Sequence, residues 1–123
     1  MADWLDAGHC EADRAGAAIR CAIMAWAGVS QLAGPVPASI EFRFRNRTVG
    51  HIYAAHDGVA LADMVMPPQA AVALIASGCA APHPVIPAAG WISTSIYGEA
   101  DRSRVLGLFR QAYDLAGGCL RLI

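Results

Sequence analysis

The chain has 123 residues, of which 56% are hydrophobic and 15% are charged, and its formal net charge is -1. This length is typical of one domain with a sizeable core. The composition excludes a disordered chain, and the apolar runs are too often broken by charge, Gly and Pro to form a membrane span. Because the net charge provides no global field for nucleic acid or anionic membrane, neither is expected as a partner.

The first predicted element is a helix from residue 11 to residue 32. Apolar residues such as Ile19 and Ile23 recur three and four positions apart, which is the spacing of one helical face. The Gly34 and Pro35 pair predicts the end of this helix.

Three consecutive strands are predicted next, over residues 40–45, 48–54 and 59–66. The first alternates strictly between apolar and charged side chains, which is typical of a half-buried strand. Asn46 tolerates a positive φ and predicts the first turn, and the His-Asp-Gly sequence at 56–58 predicts the second. Connections this short predict an antiparallel meander.

The remaining elements are a short helix over 70–77, a proline-rich loop over 79–90, a strand over 91–97 and a helix over 101–116. The order α-β-β-β-α-β-α predicts an α+β fold with an antiparallel four-stranded sheet and helices packed on it. We expect a single domain over residues 1–123.

A polar cluster is predicted on the meander. Alternation places Arg47, His51 and Tyr53 on one face of the second strand. Asp63 interrupts an apolar strand, and if it is buried it needs a partner, for which Arg47 or His51 is expected. We therefore predict His51 and Asp63 as catalytic residues and Arg47 and Tyr53 as ligand-binding residues. The alternative for His51 and Tyr53 is a cross-strand polar pair at the rim of the core.

Two further residues are assigned to ligand binding. His83, between prolines in the loop before Trp91, either closes over the face carrying His51 or anchors the loop by bonding to the backbone. Trp91 lines either a shallow pocket or a dimer surface. No metal is predicted, since the spacing of histidines and carboxylates matches no metal motif. The four scattered cysteines are interpreted as reduced, with Cys79 as a buried thiol.

Five short segments of the sequence resemble the small "luciferase domain" family of bacteria and fungi. They are RTVGHIY (47–53), DG (57–58), GCAAPHP (78–84), GWIS (90–93) and QAY (111–113). The resemblance, which covers residues 47–116, implies a compact α+β domain. The family often has a second histidine at the position of Tyr53, so this difference argues against a two-histidine metal or proton-relay site.

No cofactor is predicted. Bacterial luciferase chemistry with flavin is built on a TIM barrel, which needs roughly 200 residues or more. The sequence also has no G-x-G-x-x-G motif and no P-loop to hold a cofactor phosphate. Nothing therefore predicts a flavin or nicotinamide, and we expect no light emission.

The leading functional interpretation is a protein that binds a small anionic molecule in a cleft formed by the cluster, and whether it is an enzyme stays open. The alternative is a non-catalytic module that forms a homodimer through the Trp91 face or an exposed sheet edge. The N-terminal residues show no secretory signal, so the expected compartment is the cytoplasm.

Overall fold

Three α-helices and six β-strands make up the part of the chain that this computed structural model describes, residues 10–83 and 90–118. In chain order they are α1 (Glu11–Met24), β1 (Val29–Ala33), β2 (Ser39–Phe44), β3 (Arg47–His56), β4 (Val59–Val65), α2 (Pro68–Ala76), β5 (Ala81–Pro82), β6 (Trp91–Ile96) and α3 (Arg102–Tyr113). A 3-10 turn precedes α3 and a π-helical turn, Asp114–Gly118, follows it.

All six strands belong to one antiparallel sheet with the order β1-β2-β3-β4-β6-β5. The α+β fold and the antiparallel sheet are therefore confirmed. The predicted number of four strands was wrong, because β1 and the two-residue β5 add one strand at each edge. The central pairs, β2 with β3 and β3 with β4, are the hairpins of the predicted meander.

The first helix was predicted too long. It ends at Met24, and Val29 begins an edge strand that pairs with β2 opposite Phe44. Gly28 has φ +79°, a conformation that favours glycine, and a Cβ there would lie 2.7 Å from the Phe44 ring. The chain therefore reverses direction at Gly28. Val29 continues the apolar spacing of the helix in the sequence, but it belongs to a strand.

Helices α1 and α3 pack on one face of the sheet. Phe109 meets Phe42 edge-on, with ring centroids 5.7 Å apart, and Tyr113 meets Phe44 at 5.2 Å. The Tyr113 hydroxyl also donates a 2.7 Å hydrogen bond to the Ala27 carbonyl. The fully buried large side chains include Ile19, Ile23, Ile40, Val49, Ile52, Met64, Ile92 and Ile96. The core thus lies between the two helices and this face of the sheet.

Two tight turns fix the register of the meander. Arg45 and Asn46 both have positive φ, and so do Asp57 and Gly58. Paired positive φ values are typical of the two-residue turns whose twist matches antiparallel hairpins. Both predicted turns are therefore confirmed.

A β-bulge at Val49 decides which side chains share a face of β3. Phe42 pairs with Gly50 but Arg43 pairs with Thr48, so Val49 has no partner across the pair. The alternation of side chains between the two faces of the sheet is interrupted there. Residues before the bulge therefore lie on the opposite face from the one that uninterrupted alternation with His51 would give them.

The described cysteines Cys10, Cys21 and Cys79 are free thiols, and Cys119 lies outside the described residues. Cys79 is exposed, so the prediction of a buried thiol was wrong. Among the described residues, no helix has both the length and the apolar character that crossing a membrane requires.

Candidate functional site

Four polar side chains form a row across the sheet face opposite α1 and α3. Cross-strand pairing puts Glu41 beside His51, His51 beside Asp63, and Asp63 beside Ser93. Directly paired residues project from the same face, so the row runs across β2, β3, β4 and β6. His51 and Asp63 in its centre are 8% and 4% exposed. We call Glu41, His51, Asp63 and Ser93 the polar row.

Glu41 is held by three donors. Its Oε2 accepts hydrogen bonds from Arg43 Nε at 2.7 Å and Thr48 Oγ1 at 3.0 Å, and its Oε1 lies 3.2 Å from His51 Nε2. Burial raises the pKa of Glu41, but these hydrogen bonds and the charge of His51 outweigh it, so the pKa lies below its usual value. Glu41 is therefore ionised at neutral pH and acts as an acceptor only.

The His51 ring lies between two aromatic side chains. It stacks on Trp91 with ring centroids 5.2 Å apart and an interplanar angle of 2°, and Tyr53 contacts it at 5.9 Å. Its Nε2 faces Glu41. Its Nδ1 is buried and has no hydrogen-bond partner among residues 10–83 and 90–118. Leaving a buried polar atom unpaired costs about 1–3 kcal/mol, which a purely structural histidine would be expected to avoid.

Both carboxylate oxygens of Asp63 have a side-chain partner. Its Oδ1 accepts the Ser93 hydroxyl at 2.5 Å and its Oδ2 lies 3.1 Å from His83 Nε2. Asp63 is buried and paired, as predicted, but its partners are His83 and Ser93 and not the expected Arg47 or His51. Burial, a hydrogen bond to Asp63 and the charges of Asp63 and Glu41 raise the pKa of Tyr53, so its phenol keeps its proton over the physiological range.

His83 comes from the loop after β5 and reaches the same face. Its backbone amide donates to the Trp91 carbonyl at 3.3 Å, and its ring meets Trp91 edge-on at 5.9 Å. The side chain contacts the Asp63 carboxylate, with Nε2 3.1 Å from Oδ2. The interpretation that places His83 over the face carrying His51 agrees with this contact.

Arg47 does not join this cluster. It pairs with Phe44, whose side chain is in the core, and its guanidinium donates to the Ala116 carbonyl at 3.4 Å on the helix side of the sheet. The predicted grouping of Arg47 with His51 and Asp63 was wrong in this respect. The bulge at Val49 is the reason, since it reverses the alternation between Arg47 and His51.

The alternating pattern of the sequence did not indicate that Glu41 contacts His51. Without the bulge, the hairpin turn would pair Glu41 with Gly50 and leave His51 on the opposite face. The available signal was the glycine next to His51, because an isolated glycine inside a strand often marks a bulge or a close backbone approach. Ser93 was placed correctly on the Trp91 face but was given no partner.

A surface cavity lies at one end of the polar row, and the described residues form no metal site. A surface cavity of about 360 Å³ is lined by Ser93, Cys79, Tyr97 and Arg104 among others, so it borders the Ser93 end of the row, and neither His51 nor Trp91 lines it. A cavity of about 430 Å³ at residues 31–40 contains no ionisable side chain and lies at the far edge of the sheet. Within residues 10–83 and 90–118, no three His, Cys, Asp or Glu side chains are arranged to hold a metal ion.

The family model named Luciferase domain matches residues 46–112, more than half of the chain. The chain belongs to the luciferase domain family. The match contains His51, Asp63, His83 and Trp91, whereas Glu41 precedes it in the sequence. Comparison with curated proteins and with solved structures gave no significant match.

Proposed function

We propose that this luciferase domain binds a small molecule at the polar row beside Trp91, with His51 as the residue that exchanges protons with it. The observation that carries the proposal is the buried and unpaired Nδ1 of His51. Its neighbours Glu41 and Asp63 each have other side-chain partners. A ligand that bonds to Nδ1 would recover the free energy lost by burying that atom.

The charges around the row favour a neutral or cationic ligand. Glu41 and Asp63 both contribute carboxylates, and Arg43 is paired with Glu41 at 2.7 Å. Arg47, the guanidinium expected to hold an anion, lies on the other face. An anionic ligand would therefore meet two carboxylates without a free cation from Arg43 or Arg47 to offset them.

The geometry supports binding and proton exchange better than nucleophilic catalysis. Ser93 donates to Asp63 instead of to an imidazole. In a serine triad the hydroxyl bonds to the histidine, which takes its proton. Ser93 is accordingly assigned to holding Asp63, and His51 carries the acid–base role.

Saturation-transfer NMR with a set of neutral and cationic aromatic fragments tests the proposal. Fragments that bind the wild-type protein should lose their signal with His51→Leu. They should retain it with His56→Leu, a matched control whose side chain is 94% exposed outside the row. Equal fragment signals from all three proteins would refute the binding site.

Self-association is the second candidate, and the exposed side chain of Leu61 favours it. Leu61 is 45% exposed and pairs with Tyr53 and Ser95, so it lies on the face of the polar row. Sedimentation velocity separates the two candidates. A dimer that Leu61→Glu dissociates would support the interaction module, and a monomer in both proteins would support the binding site.

A further inference from the structure

We infer that Glu41 is a positioning residue: it fixes the proton of His51 on Nε2, so Nδ1 accepts a hydrogen bond and the ligand must present an N–H or O–H donor. The ligand class rests on the proposed function. The position of the proton does not, and it can be measured in the free protein.

The direction of the hydrogen bond between Glu41 and His51 follows from the partners of Glu41. An ionised carboxylate can only accept, so the 3.2 Å contact requires His51 Nε2 to carry a hydrogen. A neutral imidazole has one N–H, and the other nitrogen is then an acceptor. For His51 that acceptor is Nδ1, the buried atom without a partner.

The surroundings of His51 are consistent with a ligand that donates a hydrogen bond to Nδ1. Nδ1 belongs to a ring that stacks on Trp91 and contacts Tyr53, so a planar ligand bound to Nδ1 would lie beside aromatic rings. The ligand class that fits is a planar, uncharged or cationic molecule with an N–H or O–H group on its rim.

Replacing Glu41 with Gln should reverse the hydrogen bond while keeping the shape of the side chain. Oε2 accepts from Arg43 at 2.7 Å and Thr48 at 3.0 Å, and a guanidinium can only donate. The amide oxygen of Gln must therefore occupy the position of Oε2, which turns the amide NH2 towards His51 Nε2. That nitrogen then has to accept, and the His51 proton moves to Nδ1.

The test is the tautomer of His51, read from the ring nitrogen shifts of uniformly ¹⁵N-labelled full-length protein at about pH 8.5, above the usual titration range of histidine. The wild type should show Nε2–H and Glu41→Gln should show Nδ1–H. Thr48→Val is the matched control, because it leaves the carboxylate and the Arg43 contact in place, and it should keep the wild-type tautomer. An Nδ1–H tautomer in the wild type, or the same tautomer in the wild type and Glu41→Gln, would overturn the inference.

Two probes of matched size test the ligand class on the same samples. Indole offers an N–H donor and benzothiophene offers none. Indole should bind the wild type about five- to tenfold more tightly, the effect of one hydrogen bond, and Glu41→Gln should remove this preference. Equal affinity of the two probes for the wild type would overturn the donor requirement. A tautomer switch without binding of either probe would support the positioning role of Glu41 and refute the proposed function.

Discussion

Gly50 lies in β3 between the bulge and His51, where the strand passes very close to its neighbours. A Cβ at this position would lie 2.2 Å from the Asp63 carbonyl oxygen, 2.7 Å from Phe109 Cε1 and 3.0 Å from Met64 Cα. Two of these atoms belong to the backbone of β4, so they cannot move aside by a change of rotamer. Gly50→Ala should therefore push β4 away from β3 and displace the pairing that sets His51 beside Asp63.

The expected cost can be worked from these contacts. Overpacking a core by one methyl group typically costs about 1–3 kcal/mol, and contact with backbone puts Gly50→Ala at the upper end. The reduced entropy of the unfolded chain returns about 0.4–1 kcal/mol. The free energy of unfolding should thus fall by about 2–2.6 kcal/mol, a large part of the roughly 5–15 kcal/mol that a domain has.

Gly107→Ala is the matched control. Gly107 is in α3, and a Cβ there would have nothing within 4 Å. Alanine in a helix interior is favoured over glycine by about 0.5–1 kcal/mol, so this variant should be more stable than the wild type. Urea denaturation followed by far-ultraviolet circular dichroism measures both variants. A Gly50→Ala protein within about 0.5 kcal/mol of the wild type would refute the close approach of β3 and β4.

Three further predictions concern titratable and hydroxyl groups. Asp63→Asn should move the pKa of Tyr53 down towards its usual value, because the Asp63 carboxylate adds to burial in raising it; an absorbance titration of tyrosinate that shows no change would contradict this. The pKa of Glu41 lies below the ordinary 4.5, so its ionised form stabilises the fold above that pH. Stability should decline as the pH falls below about 4.5, and urea midpoints as a function of pH should show a smaller decline for Glu41→Gln, whereas equal declines would contradict the assignment. Tyr113→Phe leaves the Ala27 carbonyl without its 2.7 Å donor and should cost about 1 kcal/mol in urea denaturation, with an unchanged midpoint as the contrary result.

The part of the fold that depends on local patterns could be predicted from the sequence. The meander follows from strict alternation in β2 and from two-residue turns at Arg45 with Asn46 and at Asp57 with Gly58. Helix α3 follows from its apolar stripe. These features are encoded in residues close to one another along the chain, so short-range propensity and long-range packing agree.

Features that depend on packing between distant segments could not be predicted. Val29 continues the helical spacing of α1, and only pairing with Phe44 and the conformation of Gly28 make it a strand. The two residues of β5 are too few for a pattern. In each case tertiary contacts override a local preference.

Part of the candidate site could be predicted from local patterns, and part could not. His51, Asp63 and His83 were expected together and lie together, since antiparallel pairing and a returning loop suffice to place them. Arg47 was expected beside His51, but Glu41 lies there instead. The bulge at Val49 shifts the register by one residue, and a one-residue shift moves a side chain to the other face.

If His51 serves a ligand and not the stability of the fold, as proposed, the free energy of unfolding of His51→Leu should fall far less than that of a core truncation. The variant loses the hydrogen bond to Glu41, worth about 1.5–3 kcal/mol, but it also removes the unpaired Nδ1, which costs about 1–3 kcal/mol.

The two effects nearly cancel, so His51→Leu should unfold within about 1 kcal/mol of the wild type or be more stable, as expected where activity is maintained at the expense of stability. Phe42→Ala, which truncates a fully buried core side chain, gives the scale and should lose about 3–5 kcal/mol. A loss in His51→Leu as large as that of Phe42→Ala would show instead that His51 is a structural residue.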